Sequence, residues 1–530
     1  MRLQFARKVS CFALQFTLFL VVPRAFAQSN EAASEEFQVV EASISDVRSA
    51  ISTKEAKCTD IVEQYLERIE AYNLKDPAIN AVITVNPNAL AEAARLDAVY
   101  AERGFVGPLH CITVLVKDQV ETNDLPTTNG SALFANFISP RNATVIDKIK
   151  LTGGIIIGKA TMGEFASGFA GSAFGFCRNV YDLARSPSGS SCGTGTGVAA
   201  NFATVGIAED TGGSTRGPAA VNSAVGLRPT TPLISRFGLF PASPSRDTLG
   251  PLTRTVEDTA ILLDTIAGYD PNDPITAYSV GNIPATYTAS LLVNGLKGKR
   301  IGVIREEIST NADPKSEDYA KVKVIVDKAI TDLRALGAEV VDPVTIPSLK
   351  QLLDASVSNY ETEVAVNNYL AQLPNSPIKT FREIATSNVA VPTRRASLIE
   401  ALNLTPEDPA HLAALAARAE LRRVVLKVMA DNRLDALVYP TASQQPILIP
   451  DDILSNPDAA VTSIGNNTRL SPFLGFPALT VPAGFTIDKL PVGLEFLGRP
   501  FAESTLIELG YGYEQGTMHR RPPSTTPPLP

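Results

Sequence analysis

The sequence predicts a layered α/β fold. Short apolar runs of strand length lie at residues 112–116, 155–157 and 203–208. Helix-like stretches at 143–151 and 256–267 alternate with them. A second alternation of strand, long helix and strand spans residues 300–341. Strands separated by helices form a sheet covered by helical layers.

In chain order, residues 1–27 read as a secretory signal. Arg2, Arg7 and Lys8 make a basic start, and residues 9–22 are mostly apolar. That stretch is about 14 residues, shorter than the roughly 20 that span a bilayer. Ala25-Phe26-Ala27 then supplies the small-x-small pattern of a cleavage site. The localisation expected is therefore secreted, extracellular or periplasmic, with no membrane span after cleavage. Residues 28–40 are polar and read as a disordered lead. Ile61, Val62, Tyr65, Leu66 and Ile69 share a helix face, with Thr59 placed to cap it. Residues 88–101 read as a helix, followed by the strand and helix stretches already named. Beyond about Pro271 a strand is expected at 300–304, then a long amphipathic helix at 317–336 that Gly337 ends, then a strand at 339–341. Residues 350–405 read as helices and loops, 409–429 as a long helix and 436–439 as a strand. The Pro-rich tail from 522 to 530 reads as unstructured.

Composition narrows the partners. The formal charge is −8, and removing residues 1–27 takes away Arg2, Arg7, Lys8 and Arg24, giving −8 − 4 = −12. Such an acidic chain argues against nucleic acid or anionic lipid as partner. Cys58, Cys111, Cys177 and Cys192 would remain, with no C-x-x-C pair and no Cys/His cluster, so neither metal nor other cofactor is expected. Their pairing is left open, as is the oligomeric state. Sequons stand at Asn129, Asn142, Asn403 and Asn466, so glycosylation depends on the source.

Two glycine–serine loops carry the chemistry. One is Ser186-Pro187-Ser188-Gly189-Ser190-Ser191-Cys192-Gly193-Thr194, and the other is Asp210-Thr211-Gly212-Gly213-Ser214-Thr215-Arg216; Ser190 and Ser214 are 24 residues apart. Glycines let backbone N–H groups turn toward a ligand, and a serine beside such amides can attack a carbonyl while they hold the oxyanion. Gly189-Ser190-Ser191-Cys192-Gly193 also fits G-x-S-x-G with Ser191 as nucleophile, but no strand is expected before it and only His411 and His519 lie downstream. Asp210-Thr211-Gly212 fits an aspartic-protease motif whose second copy is missing. Residues 153–159 nearly fit a phosphate loop, but Ala160 stands where Ser/Thr is needed, and three isoleucines suit a strand. A proton acceptor remains to be found. Lys117 directly follows an apolar strand, where burial disfavours the ammonium and offers a neutral amine as base without any histidine.

Lys117, the Ser190 loop, and Thr211-Gly212-Gly213-Ser214-x-Arg216-x-Pro218-Ala219 together resemble the amidase signature family. Similar wording runs through Gly107-Pro108-Leu109-His110, Lys159-x-x-Met162-x-Glu164-Phe165-Ala166, Gly226-Leu227-Arg228-Pro229-Thr230, Asp247-Thr248-x-Gly250-Pro251, Gly475-Phe476-Pro477-Ala478-Leu479-Thr480-Val481-Pro482 and Pro491-Val492-Gly493-Leu494. The resemblance implies one α/β/α amidase domain over about 41–520, with a signature core near 107–255 and a mixed central sheet flanked by helices. It implies a Ser-Ser-Lys triad: Ser214 as acylated nucleophile, Ser190 as proton relay across a cis peptide bond, Lys117 as base. The N–H groups of Thr211, Gly212, Gly213 and Ser214 would form the oxyanion hole, and Asp210 and Arg216 would brace the loop. The substrate would be a small-molecule or peptide amide. The layout is most similar to the secreted peptide-amidase branch, with substrate pockets in the variable stretch 310–465. An esterase or carbamate hydrolase with the same triad, or a silent binding protein, are the alternatives. Three neighbours depart from the usual pattern: Glu209 replaces a threonine, Cys192 a Gly or Ser, and Cys111 a Gly.

Overall fold

The computed structural model describes residues 37–459 and 464–530. The signal-peptide reading lies outside them. Thirteen strands are found among these residues: β1 (Val82–Val85), β2 (Thr113–Lys117), β3 (Ile155–Ala160), β4 (Ala170–Gly171), β5 (Gly175–Phe176), β6 (Val205–Glu209), β7 (Val225–Arg228), β8 (Leu249–Thr253), β9 (Arg300–Ile304), β10 (Glu339–Val344), β11 (Ala436–Pro440), β12 (Ala478–Phe485) and β13 (Pro491–Leu497). Strands β4 and β5 form a separate hairpin; the others build one sheet in the order β1-β3-β2-β6-β8-β7-β12-β13-β11-β9-β10. Its pairing is mixed. Strands β3, β2 and β6 run parallel, as do β11, β9 and β10, while the centre from β6 to β11 is antiparallel.

Helices cover both faces. Leu479 and Val481 of β12 project toward Gly510 of the helix Glu503–Thr517, where an added Cβ would overlap the Leu479 side chain. Thr480 points the other way, as strand alternation requires, and lies with Ala220 of the helix Arg216–Val221 around Gly493. Strands β2, β3, β6 and β8 are buried at every residue, which suits a central sheet enclosed on both sides. No helix among the described residues is long and apolar enough to cross a membrane.

Three local expectations change. The helix expected around residue 61 spans Cys58–Tyr72 and is not capped by Thr59. Asp97, from the helix Ala89–Arg103, accepts the N–H groups of Cys58 (2.7 Å) and Thr59 (3.1 Å), so the cap comes from a neighbouring helix. The described end of the expected lead is tied down: Gln64 accepts from Val39 N and donates to Phe37 O, and Val39 is buried, while residues 28–36 lie outside the described residues. The tail has no helix or strand but is packed: Arg68 donates to Thr526 O at 2.8 Å and Pro527 O at 2.9 Å. Cys58 and Cys111 are disulfide-bonded, and Cys177 and Cys192 are buried thiols. Cys111 sits at φ 66°, which accounts for the glycine usual there. Asn129 is buried, so its sequon is closed to a glycan in the folded protein.

Candidate active site

Strand β2 ends at Lys117, and the apolar run before it explains why: Thr113 to Val116 are fully buried between β3 and β6, so the side chain at the strand's end stays inside. Lys117 Nζ donates to Ser190 Oγ at 2.8 Å, to Glu209 Oε2 at 2.8 Å and to Glu209 O at 3.2 Å. Ammonium and carboxylate are both wholly removed from solvent. The other strand-end lysine, Lys159 of β3, pairs in register with Val116 and so faces the opposite side of the sheet. Its ammonium is enclosed by Val120 O, Pro126 O and Thr127 Oγ1.

The Gly189–Ser190 peptide is cis, as the resemblance implies, and Ser190 is buried. Ser191 opens the helix Cys192–Ala199, an all-buried element rich in Gly and Thr. That close packing gives Cys192 its role as a small core residue. Ser191 itself faces backbone rather than a cleft: its Oγ donates to Glu209 O at 3.2 Å and its N–H to Ser214 O at 3.3 Å. The latter bond ties the two glycine–serine loops together and leaves Ser214 half-buried at the rim.

The second loop is built around a carboxylate. Asp210 accepts from Arg216 Nε at 3.1 Å and Nη2 at 3.2 Å, from Gly213 N at 2.7 Å and from Thr215 N at 3.2 Å. Burial alone would raise the Asp210 carboxyl, but the Arg216 and Arg228 guanidinium groups outweigh it and hold it at about 2. At neutral pH this is an ionised structural anchor, not half of a proton-sharing protease dyad. Arg216 continues to Glu495 of β13 and to Thr468 O. One expectation is corrected here: the Gly213 N–H is engaged by Asp210 and is not free for an oxyanion. Among the described residues no partner engages the N–H groups of Thr211, Gly212 or Ser214. Gly213 has φ 123°, and a Cβ there would overlap Thr468 Oγ1, which itself donates to Gly212 O at 2.8 Å.

Glu209 and Asp247 add to the residues expected from sequence. Thr211 Oγ1 lies 2.5 Å from Glu209 Oε1 and 2.8 Å from Asp247 Oδ1. Burial pushes the Glu209 carboxyl up, the Lys117 ammonium pulls it down, and Asp247 pushes it up again. The sequence signal for Glu209 was its charge at the end of an all-buried strand; Thr468, far along the chain, gave none. The variable segments also reach the loops. Gly163 N donates to Ser190 O at 3.0 Å, and the adjoining Glu164 accepts from Val391 N at 2.7 Å. The three histidines have other partners: His411 lies 2.7 Å from Ser358 Oγ, His519 3.5 Å from Asp332, and His110 packs on Phe105.

A buried lysine and two serine loops at the strand ends of a helix-flanked mixed sheet are groups that can carry acyl transfer without a histidine. The family model described as Amidase matches residues 60–507, and the chain belongs to that family: it is an amidase-signature enzyme that hydrolyses an amide C–N bond. It is 33% identical to a probable amidase of Arabidopsis thaliana, over 96% of this chain and 99% of the relative. It is 34% identical to a glutamyl-tRNA(Gln) amidotransferase subunit of Acaryochloris marina, over 91% of this chain and 99% of that one. Among solved structures, the native peptide amidase from Stenotrophomonas maltophilia superposes with a TM-score of 0.81 at 34% identity, covering 92% of this chain and 99% of the other.

Proposed function

We propose that this chain is an exported amidase that converts a carboxylic amide, a peptide C-terminal amide in particular, to carboxylate plus ammonia or amine through an acyl-enzyme on Ser214. Ser214 Oγ attacks the carbonyl carbon as its proton passes to Ser190, whose own proton passes to Lys117. The N–H groups of Thr211, Gly212 and Ser214 hold the oxyanion. Lys117 returns the proton through Ser190 to the leaving nitrogen, the C–N bond breaks, and water releases the acid by the same relay. The observation that carries this reading is the 2.8 Å bond from a wholly buried Lys117 to Ser190.

Two further observations support the finer assignment. A peptide amidase solved with the competitive inhibitor chymostatin superposes on this chain with a TM-score of 0.81 at 33% identity. The Cys58–Cys111 disulfide suits the oxidising compartment that the signal-like start addresses. The test is ammonia release from simple and peptide amides by the mature protein. Ser214→Ala should abolish it with the circular dichroism spectrum unchanged; turnover persisting in that variant overturns the assignment.

A further inference from the structure

Most of the site is accounted for by the relay and the oxyanion loop, but one charged group at its centre is not. Glu209 ends β6 with its side chain wholly buried, and each carboxylate oxygen has a separate partner. Oε2 meets the Lys117 nitrogen at 2.8 Å, on the same nitrogen that meets Ser190 Oγ at 2.8 Å. Oε1 meets the hydroxyl of Thr211, the first residue of the oxyanion loop, at 2.5 Å. The threonine usual at this position is too short to span base and loop and carries no charge. We propose that Glu209 is the positioning carboxylate of this site: it aims the Lys117 nitrogen at Ser190, ties that nitrogen to the oxyanion loop, and moves the enzyme's working range to more alkaline pH. The proposal rests on Lys117 acting as the base in the reading above.

The physical reason is the one that makes a carboxylate useful behind a catalytic base. While Glu209 accepts an N–H from Lys117, the remaining lone pair of a neutral amine has a fixed direction, toward Ser190. When that amine takes the relay proton, the ammonium forms beside an anion already in place and no water has to reorganise. A carboxylate held against a catalytic base moves the acid-side limb of a pH–rate profile by about 1–3 units when it lies within about 4–6 Å, so the limb reports whether the Glu209 charge acts on the reaction. The charged groups facing Glu209 are Lys117 on β2 and Asp247 from the loop before β8; Arg228 and Arg246 feel it from further away. Burial, the largest effect, and Asp247 work against ionisation of Glu209 and leave its carboxyl above the usual carboxylate range, while the Lys117 ammonium and the arginines work for it.

The experiment is the pH dependence of kcat/KM on one amide, for the mature enzyme, Glu209→Gln and Glu209→Thr. Glutamine keeps both contacts without the charge: its carbonyl accepts from Lys117 and its amide faces Thr211. The acid-side limb should move to lower pH by about 1–2 units in both variants. The plateau should fall by about tenfold or less in Glu209→Gln and further in Glu209→Thr, where the aim of the nitrogen is lost. A purely structural role would lower activity without moving the limb. The rate at which a fluorophosphonate labels Ser214, followed against pH, gives the same limb without a leaving amine and reads variants too slow for turnover assays. A limb that stays in place, or moves to higher pH, overturns the role of Glu209 while leaving the acyl-enzyme on Ser214 standing. Absence of labelling on Ser214 in the unmodified enzyme overturns both.

Discussion

In the proposed mechanism Lys117 is both the proton acceptor and the proton source, and those duties separate experimentally. An amine leaving group must be protonated as it departs, whereas an activated phenolate ester leaves unaided. Lys117→Ala is therefore expected to lose at least about tenfold more kcat/KM on an amide than on a matched activated ester; equal losses would remove its role as acid. Asp210 belongs to the loop's frame rather than the chemistry. Asp210→Asn takes the only carboxylate partner from Arg228 among the described residues and leaves Arg216 with Glu495 alone, and should cost about 3–5 kcal/mol, read by denaturant unfolding. Because the Asp210 carboxyl is lowered from 3.8 to about 2, its stabilisation is complete above about pH 5 and disappears as pH falls toward 2. The variant should accordingly lack the acid-side loss of about 2 kcal/mol that the parent shows between these limits. Lys117 and the two glycine–serine loops stand out in the sequence by local pattern, whereas the separate roles of Ser190 and Ser214 and the bracing by Asp210 and Arg216 rest on the family resemblance. The pairing of Glu209 with Lys117 could not be picked out in sequence, since it joins β6 to β2 across 92 residues. Nor could the engagement of the Gly213 N–H, which depends on how the loop closes around Asp210.

Among elements, the parallel strands were the most legible. The strands expected at 112–116, 155–157 and 203–208 became β2, β3 and β6 within a few residues, since apolar β-branched runs between helices permit little else. Strands β7, β8, β12 and β13 were recognised as motifs rather than as strands. Pro251, Pro482, Pro491 and several glycines break their alternation, and only pairing with distant strands makes them extended. The disulfide also acts at this scale. It ties the start of the helix Cys58–Tyr72 to the residue just ahead of β2, across 53 residues. Closing a loop of that size stabilises by about 4 kcal/mol in the chain-entropy view. Replacing both cysteines by serine should lower stability by about that amount in equilibrium unfolding. The pair Cys58→Ser with Cys111→Gly should recover about 1 kcal/mol of it, because position 111 has φ 66°. A larger loss with glycine than with serine would contradict the backbone argument.

The length of the chain suggests two or three domains, yet residues 37–530 form one compact unit. The reason lies in the order of the sheet: β12 and β13, from residues 478–497, insert between β7 and β11, so the C-terminal part completes a sheet begun some 400 residues earlier. Pairing at that separation leaves no local mark in sequence. The tail contributes to the same closure. Arg68 bridges Thr526 O and Pro527 O to Ala200 O and Asn201 O, just past the helix that follows Ser191. Deleting residues 524–530 should lower the thermal midpoint by several degrees in calorimetry, the loss expected for about 1–3 kcal/mol; an unchanged midpoint would make the tail a passive appendage. The central claim concerns the whole chain at once, that one serine on the second loop carries the acyl group. Its most direct test is the mass of the intact mature protein during turnover or phosphonate trapping, followed by mapping of the adduct. The account predicts a single adduct on Ser214, absent in Ser214→Ala. An adduct on Ser190 or Ser191, or undiminished adduct in Ser214→Ala, would contradict it.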